Sequence, residues 1–246
     1  MQLFILPHIP TKGNQIILKE VPELLSQLRK VLRTKIWDTI FLQNQEENII
    51  RYQVQIIDRN DKDLIGEIVD QTLLYHANEQ QDQTAHPSGI SMLIAMPNKR
   101  DKAELIVQKL SEIWVKEILF RPAERSIIKQ RNEKKAERLL KISQEATEQS
   151  RGTHIPQITF CKDAEEKIRD AEVVIFDKID NAEQLDTINP KNPPYKAKKL
   201  WVIWPEGGLT QQDYQLFKQY KIKSLGDSVL RMETAAIIAA RLLKNQ

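Results

Sequence analysis

Short stretches of alternating apolar and polar residues fill the first part of the chain, from Gln2 to about Thr72. In the clearest of them, Ile50 to Ile56, an apolar side chain recurs at every second position. A period of two is typical of strands that bury one face. We therefore predict a small β-rich domain over residues 1–76.

One segment of this region has helical instead of alternating spacing. Between Val21 and Leu32 leucine and valine recur every three or four residues, and Pro22 stands in the first turn, where proline is well tolerated. The opposite side of this predicted helix carries three cations, Arg29, Lys30 and Arg33.

The pattern changes after residues 77–89, which have almost nothing to bury and predict a linker. Beyond it, continuous apolar runs alternate with segments of helical spacing, as in parallel sheets covered by helices on both faces. Residues 90–246 therefore predict an α/β domain, and parallel sheets bind ligands at the carboxyl ends of their strands. The predicted strands are Ser91–Met96, Glu117–Phe120, Gln157–Cys161, Glu172–Phe176, Leu200–Ile203 and Ile222–Leu225, and the predicted helices are Asp101–Val115, Asn132–Glu148, Ala164–Arg169, Gln211–Tyr220 and Met232–Leu243.

Composition narrows the class of protein. The 246 residues are 41% hydrophobic and 29% charged, which is typical of a globular protein. No run of eighteen apolar residues and no basic leader is present, so we expect a cytoplasmic protein without a membrane anchor. The single cysteine, Cys161, and four histidines without ligand spacing predict no metal site.

Net charge is only +3, but basic residues cluster between Lys129 and Lys141, where six cations accompany two glutamates. This segment has two interpretations, a solvated helix face or a phosphate-binding patch.

Two loops follow predicted strands and combine glycine with charge. The first runs from Trp204 through Pro205, Glu206, Gly207 and Gly208 to Thr210. Paired glycines let the backbone approach a ligand closely, although such a loop is also an ordinary turn. The second loop, residues 224–236, turns at Gly226 and enters the last helix through Arg231, Glu233 and Thr234. An ordinary capped helix would have the same pattern.

Taken together, five ordered motifs resemble the RsmE-type family, the 16S ribosomal RNA uridine-N3 methyltransferases of the SPOUT superfamily. The resemblance covers nearly the whole chain. The motifs are Val31-Leu32-Arg33, Ala123-Glu124-Arg125-Ser126 with Lys129, Glu148-Gln149-Ser150-Arg151 with Pro156, Pro205-Glu206-Gly207-Gly208, and Leu225-Gly226 through Val229-Leu230-Arg231-Met232-Glu233-Thr234-Ala235.

The resemblance implies a PUA-like RNA-binding domain followed by a trefoil-knotted domain that binds S-adenosylmethionine and forms a homodimer. The implied partner is 16S rRNA or the small ribosomal subunit. The implied cofactor-binding residues are Phe176, Trp204, Pro205, Glu206, Gly207, Gly208, Leu225, Gly226, Val229 and Leu230, and the RNA-binding residues, chosen for charge and motif position, are Arg29, Lys30, Arg33, Arg121, Arg125, Lys129 and Arg151.

Three residues are candidates for the chemistry. We expect Arg231 to stabilise negative charge on a uracil carbonyl oxygen, because it stands between the loop segments and the last helix. Glu206 and Glu233 are candidate general bases, and each is also suited to fix its loop through hydrogen bonds.

Three tryptophans stand where the family pattern has glycine: Trp37, Trp114 and Trp204. Tryptophan is the largest replacement that a glycine can receive, and in a packed site it is costly. Because some genetic codes read UGA as glycine and others as tryptophan, we predict UGA at all three codons of the gene. Gly152 also departs from the family pattern, which often has arginine at this position.

Two alternatives to the enzyme stay open. One is a non-catalytic RNA-binding protein whose cofactor pocket is closed by Trp204. The other is an unrelated nucleotide-binding α/β module, which leaves the amino-terminal motifs unexplained.

Overall fold

The computed structural model divides the chain into two compact units, residues 1–86 and 87–246. It describes residues 2–46, 48–60, 63–75, 88–121, 133–161, 168, 171–176, 183–184, 199–203 and 220–244. Most of the predicted linker, 77–89, lies outside these ranges, and the first strand of the second unit begins inside it, at Ser88. The predicted boundaries of the domains stay predictions.

The first unit is built on a six-stranded sheet, as the alternating pattern predicts. Its order is β1-β4-β5-β6-β3-β2, with β1 parallel to β4 and the other pairs antiparallel. The bounds are β1 Leu3–Ile5, β2 Thr11–Lys12, β3 Gln15–Ile17, β4 Thr39–Gln43, β5 Ile49–Arg59 and β6 Leu64–Tyr75. Its apolar core includes Phe4, Ile16, Leu28, Leu42, Val54, Ile56 and Leu64.

The predicted helix over Val21–Leu32 is present but not uniform. An α-helix, α1, spans Pro22–Ser26 and continues as a π turn over Gln27–Val31. The segment buries Leu24 and Leu28 against the sheet. The apolar spacing therefore located the element, while the wider turn at its end was not predicted.

The second unit contains a sheet whose seven described strands run in the order β11-β13-β10-β12-β7-β8-β9. All pairings between these strands are parallel, as the apolar runs predict. Its described elements are β7 Ser88–Ala95, α2 Arg100–Glu112, β8 Val115–Arg121, α3 Glu133–Ser150, β9 Gln157–Phe160, β10 Glu172–Phe176, β11 Glu183–Gln184, β12 Lys199–Ile203, β13 Lys221–Ser224 and α4 Met232–Lys244.

Both faces of this sheet are buried. On β7, Met92 and Ile94 belong to one apolar cluster, which also contains residues of α2 and α4, whereas Leu93 belongs to a second cluster. Neighbouring β8 divides in the same way, with Ile118 in the first cluster and Leu119 in the second. Burial on both sides explains why these strands have no polar alternation. The predicted helices at 164–169 and 211–220 lie outside the described residues, apart from Ile168 and Tyr220.

Two of the three unexpected tryptophans adopt a backbone conformation that favours glycine. The φ angle is +75° at Trp37 and +67° at Trp114. A side chain at such a φ brings Cβ close to the following carbonyl oxygen, a clash that glycine avoids. The backbone thus supports the interpretation of these positions as glycines, and Trp204 lies outside the described residues.

Candidate active site

The carboxyl ends of three strands meet at one edge of the parallel sheet. Phe176, the last residue of β10, pairs with Ile203 at the end of β12 and with Lys223 in β13. The ends of these strands therefore lie side by side, although they are far apart in the sequence. Among the described residues, this register brings together Phe176, Ile203 and the end of β13, which leads into the loop that begins at Leu225.

Of the predicted cofactor-binding residues, five lie in the described part of the chain. Phe176 is buried, Leu225 and Leu230 are half-buried, and Val229 is 80% exposed. The remaining predicted residues, Trp204, Pro205, Glu206, Gly207 and Gly208, lie outside the described residues.

The loop from Leu225 to Arg231 has a sharp turn at its beginning. Gly226 has a φ of +122°, and no atom of the described residues lies within 4 Å of the position that a Cβ would take. Ser224 Oγ donates a hydrogen bond to the Gly226 carbonyl at 2.8 Å and accepts one from the Gly226 N–H at 3.3 Å. The space beside Gly226 and the exposed apolar Val229 leave a surface that a flat apolar group can approach.

Arg231 and Glu233 stand on either side of the first residue of α4 but differ in environment. The Arg231 side chain is exposed, and its carbonyl accepts the N–H of Ala235 at 2.9 Å, within the first turn. Glu233 is only 8% exposed, and its Oε2 lies 3.5 Å from Lys102 Nζ on α2. Arg231 is therefore accessible to a ligand, whereas Glu233 faces the neighbouring helix. No local pattern in the sequence points to Lys102, because the two partners are on helices that are far apart in the chain.

The predicted RNA-binding cations of the first unit also have different environments. Lys30 and Arg33 are exposed, and Arg33 has a φ of +52° directly after the π turn. Arg29 is half-buried, and its Nη2 donates to the Asp63 carbonyl at 2.9 Å. Lys30 and Arg33 can thus reach a phosphate directly, while at least one nitrogen of Arg29 is occupied within the domain.

In the second unit, Arg121 is half-buried at the end of β8 and Arg151 is exposed just after α3, with a φ of +56°. Arg125 and Lys129 lie outside the described residues.

Within the basic segment between Lys129 and Lys141, Lys134, Lys135 and Lys141 are exposed. Both interpretations of that segment, a solvated face or a phosphate-binding patch, remain compatible with this exposure.

One charged group between α2 and α3 is strongly perturbed. Arg138 donates to both carboxylate oxygens of Glu104, at 2.6 and 3.0 Å, and Arg100 donates to one of them at 2.5 Å. These hydrogen bonds, that of Arg138 foremost, lower the pKa of Glu104 to about 2. Glu104 therefore stays ionised and holds the two helices together at neutral pH.

Two features concern membranes and metals. Within the described ranges, no helix is long and apolar enough to cross a bilayer. Across the same ranges, no group of three acidic, histidine or cysteine side chains is placed to hold a metal ion.

Known proteins share this architecture. A structure of ribosomal RNA small subunit methyltransferase E from Neisseria gonorrhoeae, bound to S-adenosylmethionine, aligns with all of this chain and 97% of its own, with a TM-score of 0.76 and 23% identity. A Legionella pneumophila protein solved with the same cofactor also aligns with the whole chain and 97% of its own, with a TM-score of 0.77 and 24% identity. These likenesses confirm the predicted fold class, an α/β domain with a parallel sheet preceded by a β-rich domain. The loop after β12, which the family's knot would use, lies outside the described residues.

Sequence comparison agrees with the fold. The ribosomal RNA small subunit methyltransferase E of Bacillus subtilis is 29% identical over 160 residues, which are 60% of this chain and 62% of that protein, so the match spans less than two thirds of the relative. A family model described as an RNA methyltransferase domain matches residues 84–244. With well over half of its length matched by that model, and with the predicted parallel sheet in place, the chain belongs to the RNA methyltransferase domain family.

Proposed function

We propose that the protein transfers a methyl group from S-adenosylmethionine to N3 of a uridine in 16S rRNA. The observation that carries this proposal is the alignment of the carboxyl ends of β10, β12 and β13 at one edge of the sheet, since the two family loops follow β12 and β13 in the sequence. The similarity to the Bacillus subtilis enzyme names the substrate class, the RNA of the small ribosomal subunit.

The described part of the proposed cofactor site fits this donor. An adenine needs apolar contacts and backbone hydrogen-bonding groups, which Leu225, Gly226, Val229 and Leu230 provide without specialised side chains. The open space beside Gly226 is consistent with a ligand that approaches the backbone there. When bound, the donor would supply an electrophilic methyl group, and Phe176 and the Trp204–Gly208 loop would complete the pocket.

The protein's own residues would act on the base. The N3 atom of uracil carries a proton at neutral pH, so this proton must leave and negative charge must develop on the ring oxygens as N3 attacks. The exposed guanidinium of Arg231 would stabilise that charge. Glu233 is a candidate to accept the proton, with Glu206 as the other, and the buried position of Glu233 equally suits a supporting role.

The RNA would be held mainly through its phosphates. Lys30, Arg33 and Arg151 are exposed and suited to such contacts, and Arg29, Arg121, Arg125 and Lys129 are proposed to assist them. We also propose that the enzyme works in the cytoplasm as a homodimer, as its family resemblance implies.

The direct test uses 16S rRNA, free and in small subunits, with S-adenosylmethionine carrying a deuterated methyl group. Digestion to nucleosides and mass spectrometry should detect labelled N3-methyluridine. We expect Arg231→Ala to lower kcat by about 100-fold, which is typical for the loss of one group that stabilises developing charge. Arg241→Ala, an exposed arginine further along α4, is the matched control and should keep full activity.

Other results would redirect the assignment. If Arg231→Ala binds both substrates and turns over fully, Arg231 has no role in the chemistry. If the chain binds RNA but neither binds the donor nor transfers a methyl group, it is a non-catalytic RNA-binding protein. The variant Trp204→Gly then shows whether tryptophan blocks the pocket, because that variant should restore donor binding.

A further inference from the structure

The loop from Leu225 to Arg231 is held mainly at its two ends. At its start, Ser224 belongs to β13 and its hydroxyl bonds to Gly226. In the middle, Asp227, Ser228 and Val229 are exposed, so packing contributes little to the position of this part. The location of the loop therefore depends strongly on where α4 begins.

An apolar contact fixes the inner face of α4, beginning with Met232 in its first turn, which is only 5% exposed. Ala236, Ala239 and Ala240 are fully buried in the cluster that also contains Ala103 and Ile106 of α2. These small side chains let the two helices pack closely beyond the first turn. At the end of the helix that faces the loop, a polar contact to α2 supplements the packing of Met232.

The ion pair between Lys102 and Glu233 lies at that end. The Nζ and Oε2 atoms are 3.5 Å apart, and the side chains are only 22% and 11% exposed. Among the described residues, Oε2 accepts no hydrogen bond, so its charge depends on the nearby ammonium group. Removal of one partner from a buried pair leaves an uncompensated charge, which is strongly destabilising.

We propose that Lys102 is a positioning residue of the donor-binding loop: by pairing with Glu233 it fixes the first turn of α4 and, through it, Leu230 and Arg231. The role rests on the proposed function in so far as the loop binds the donor. In this proposal Glu233 holds the loop in place. Helix α2 contributes no residue to the predicted site, but through Lys102 it helps to shape that site.

The first test measures amide hydrogen exchange in the full-length protein without ligand. Lys102→Met should accelerate exchange in peptides that cover residues 225–235 by about tenfold, because opening of this segment becomes easier, while peptides from β8 keep their protection. Lys102→Arg should restore slow exchange. The matched control is Lys109→Met, since Lys109 pairs with Glu112 within α2 and should not affect the loop.

A second variant covers the case in which Lys102→Met does not fold. Glu233→Gln removes the same ion pair but leaves the charge on Lys102, the more exposed of the two side chains, and it should loosen residues 225–235 to a similar extent. In the Glu233→Gln background, Lys102→Met should add little, because the pair is already broken. Unchanged exchange in both single variants, or strictly additive effects in the double variant, would overturn the proposal.

Calorimetry with S-adenosylmethionine then separates the two proposals. We expect Lys102→Met to raise the Kd for the donor about tenfold or more, since small displacements of positioning groups are costly. If Lys102→Met accelerates exchange but the unaltered protein does not bind the donor, the proposed function is wrong, while the role of Lys102 in holding the loop is supported. Loosened exchange with an unaltered Kd would show that the pair does not position a donor site.

Discussion

Replacement of Trp37 offers a direct test of whether the backbone at this position is made for glycine. The residue lies in a four-residue turn in which the Asp38 N–H donates to the Lys35 carbonyl at 3.2 Å, and it occupies the third position with a φ of +75°. That position and sign of φ are typical of a type II turn, in which glycine is preferred. The Trp37 N–H donates to the Ile56 carbonyl at 2.8 Å, so the turn is tied to β5 and cannot easily relax.

The expected magnitude follows from a comparison of two variants. Trp37→Gly and Trp37→Ala lose the same indole, which is 70% exposed, so the difference between them reports the backbone. A Cβ in the left-handed region costs about 1–2 kcal/mol. Glycine loses about 0.4–1 kcal/mol more than alanine in conformational entropy on folding, which offsets part of this gain. We expect Trp37→Gly to have the larger free energy of unfolding, by about 1 kcal/mol.

Urea denaturation of both variants measures this difference. The control is Lys141, an exposed position inside α3, where the order should reverse: Lys141→Ala should be more stable than Lys141→Gly by about 1 kcal/mol. An alanine variant at position 37 as stable as the glycine variant would refute the argument from φ. The corresponding genetic test is to read codons 37, 114 and 204, since UGG at these sites would exclude the codon interpretation.

Three further predictions concern stability. The pKa of Glu104 is lowered from 4.5 to about 2 in the folded protein. The bridge from Glu104 to Arg138 therefore stabilises the fold fully above about pH 4.5, and this stabilisation is lost as the pH falls toward 2. In Glu104→Gln the unfolding free energy, followed by urea denaturation across that pH range, should fall less steeply than in the unaltered protein; equal slopes would contradict the bridge. Gly226→Ala should lower the unfolding free energy by about 1–3 kcal/mol, because the φ of +122° at this position strains any side chain even where the described residues leave space for it. An unchanged denaturation midpoint would argue against that strain. Ser143→Ala should lower the unfolding free energy by about 1 kcal/mol, because the Ser143 hydroxyl lies 2.8 Å from that of Ser111 in a fully buried contact between α2 and α3. The double variant with alanine at both positions should lose less stability than the two single variants do in sum.

Much of the fold could be predicted because local patterns report burial directly. The alternating run from Ile50 to Ile56 became part of β5, and the apolar run Glu172–Phe176 became β10 with the predicted bounds. The last helix was expected over Met232–Leu243 and extends one residue further. Periodicity succeeds here because each strand or helix face either packs against the core or contacts water.

Local spacing could not predict the π turn after α1. The leucines of this segment fit an ordinary helix equally well, and the extra width comes from hydrogen bonds at its end, where Leu32 donates to Gln27 and Thr34 donates to Leu28.

By itself the sequence determined the class of domain, the position of most elements and, through its ordered motifs, the family. Only the tertiary structure decided that the end of β10 lies between those of β12 and β13, since the order of strands in a parallel sheet is set by helices and crossovers and leaves no periodic trace. It also decided that Lys102 faces Glu233, because the packing of α2 against α4 brings together residues that no local pattern connects. Conversely, the left-handed backbone at Trp37 and Trp114 gives a physical reason why glycine suits these two positions, at which the sequence could only mark tryptophan as unusual.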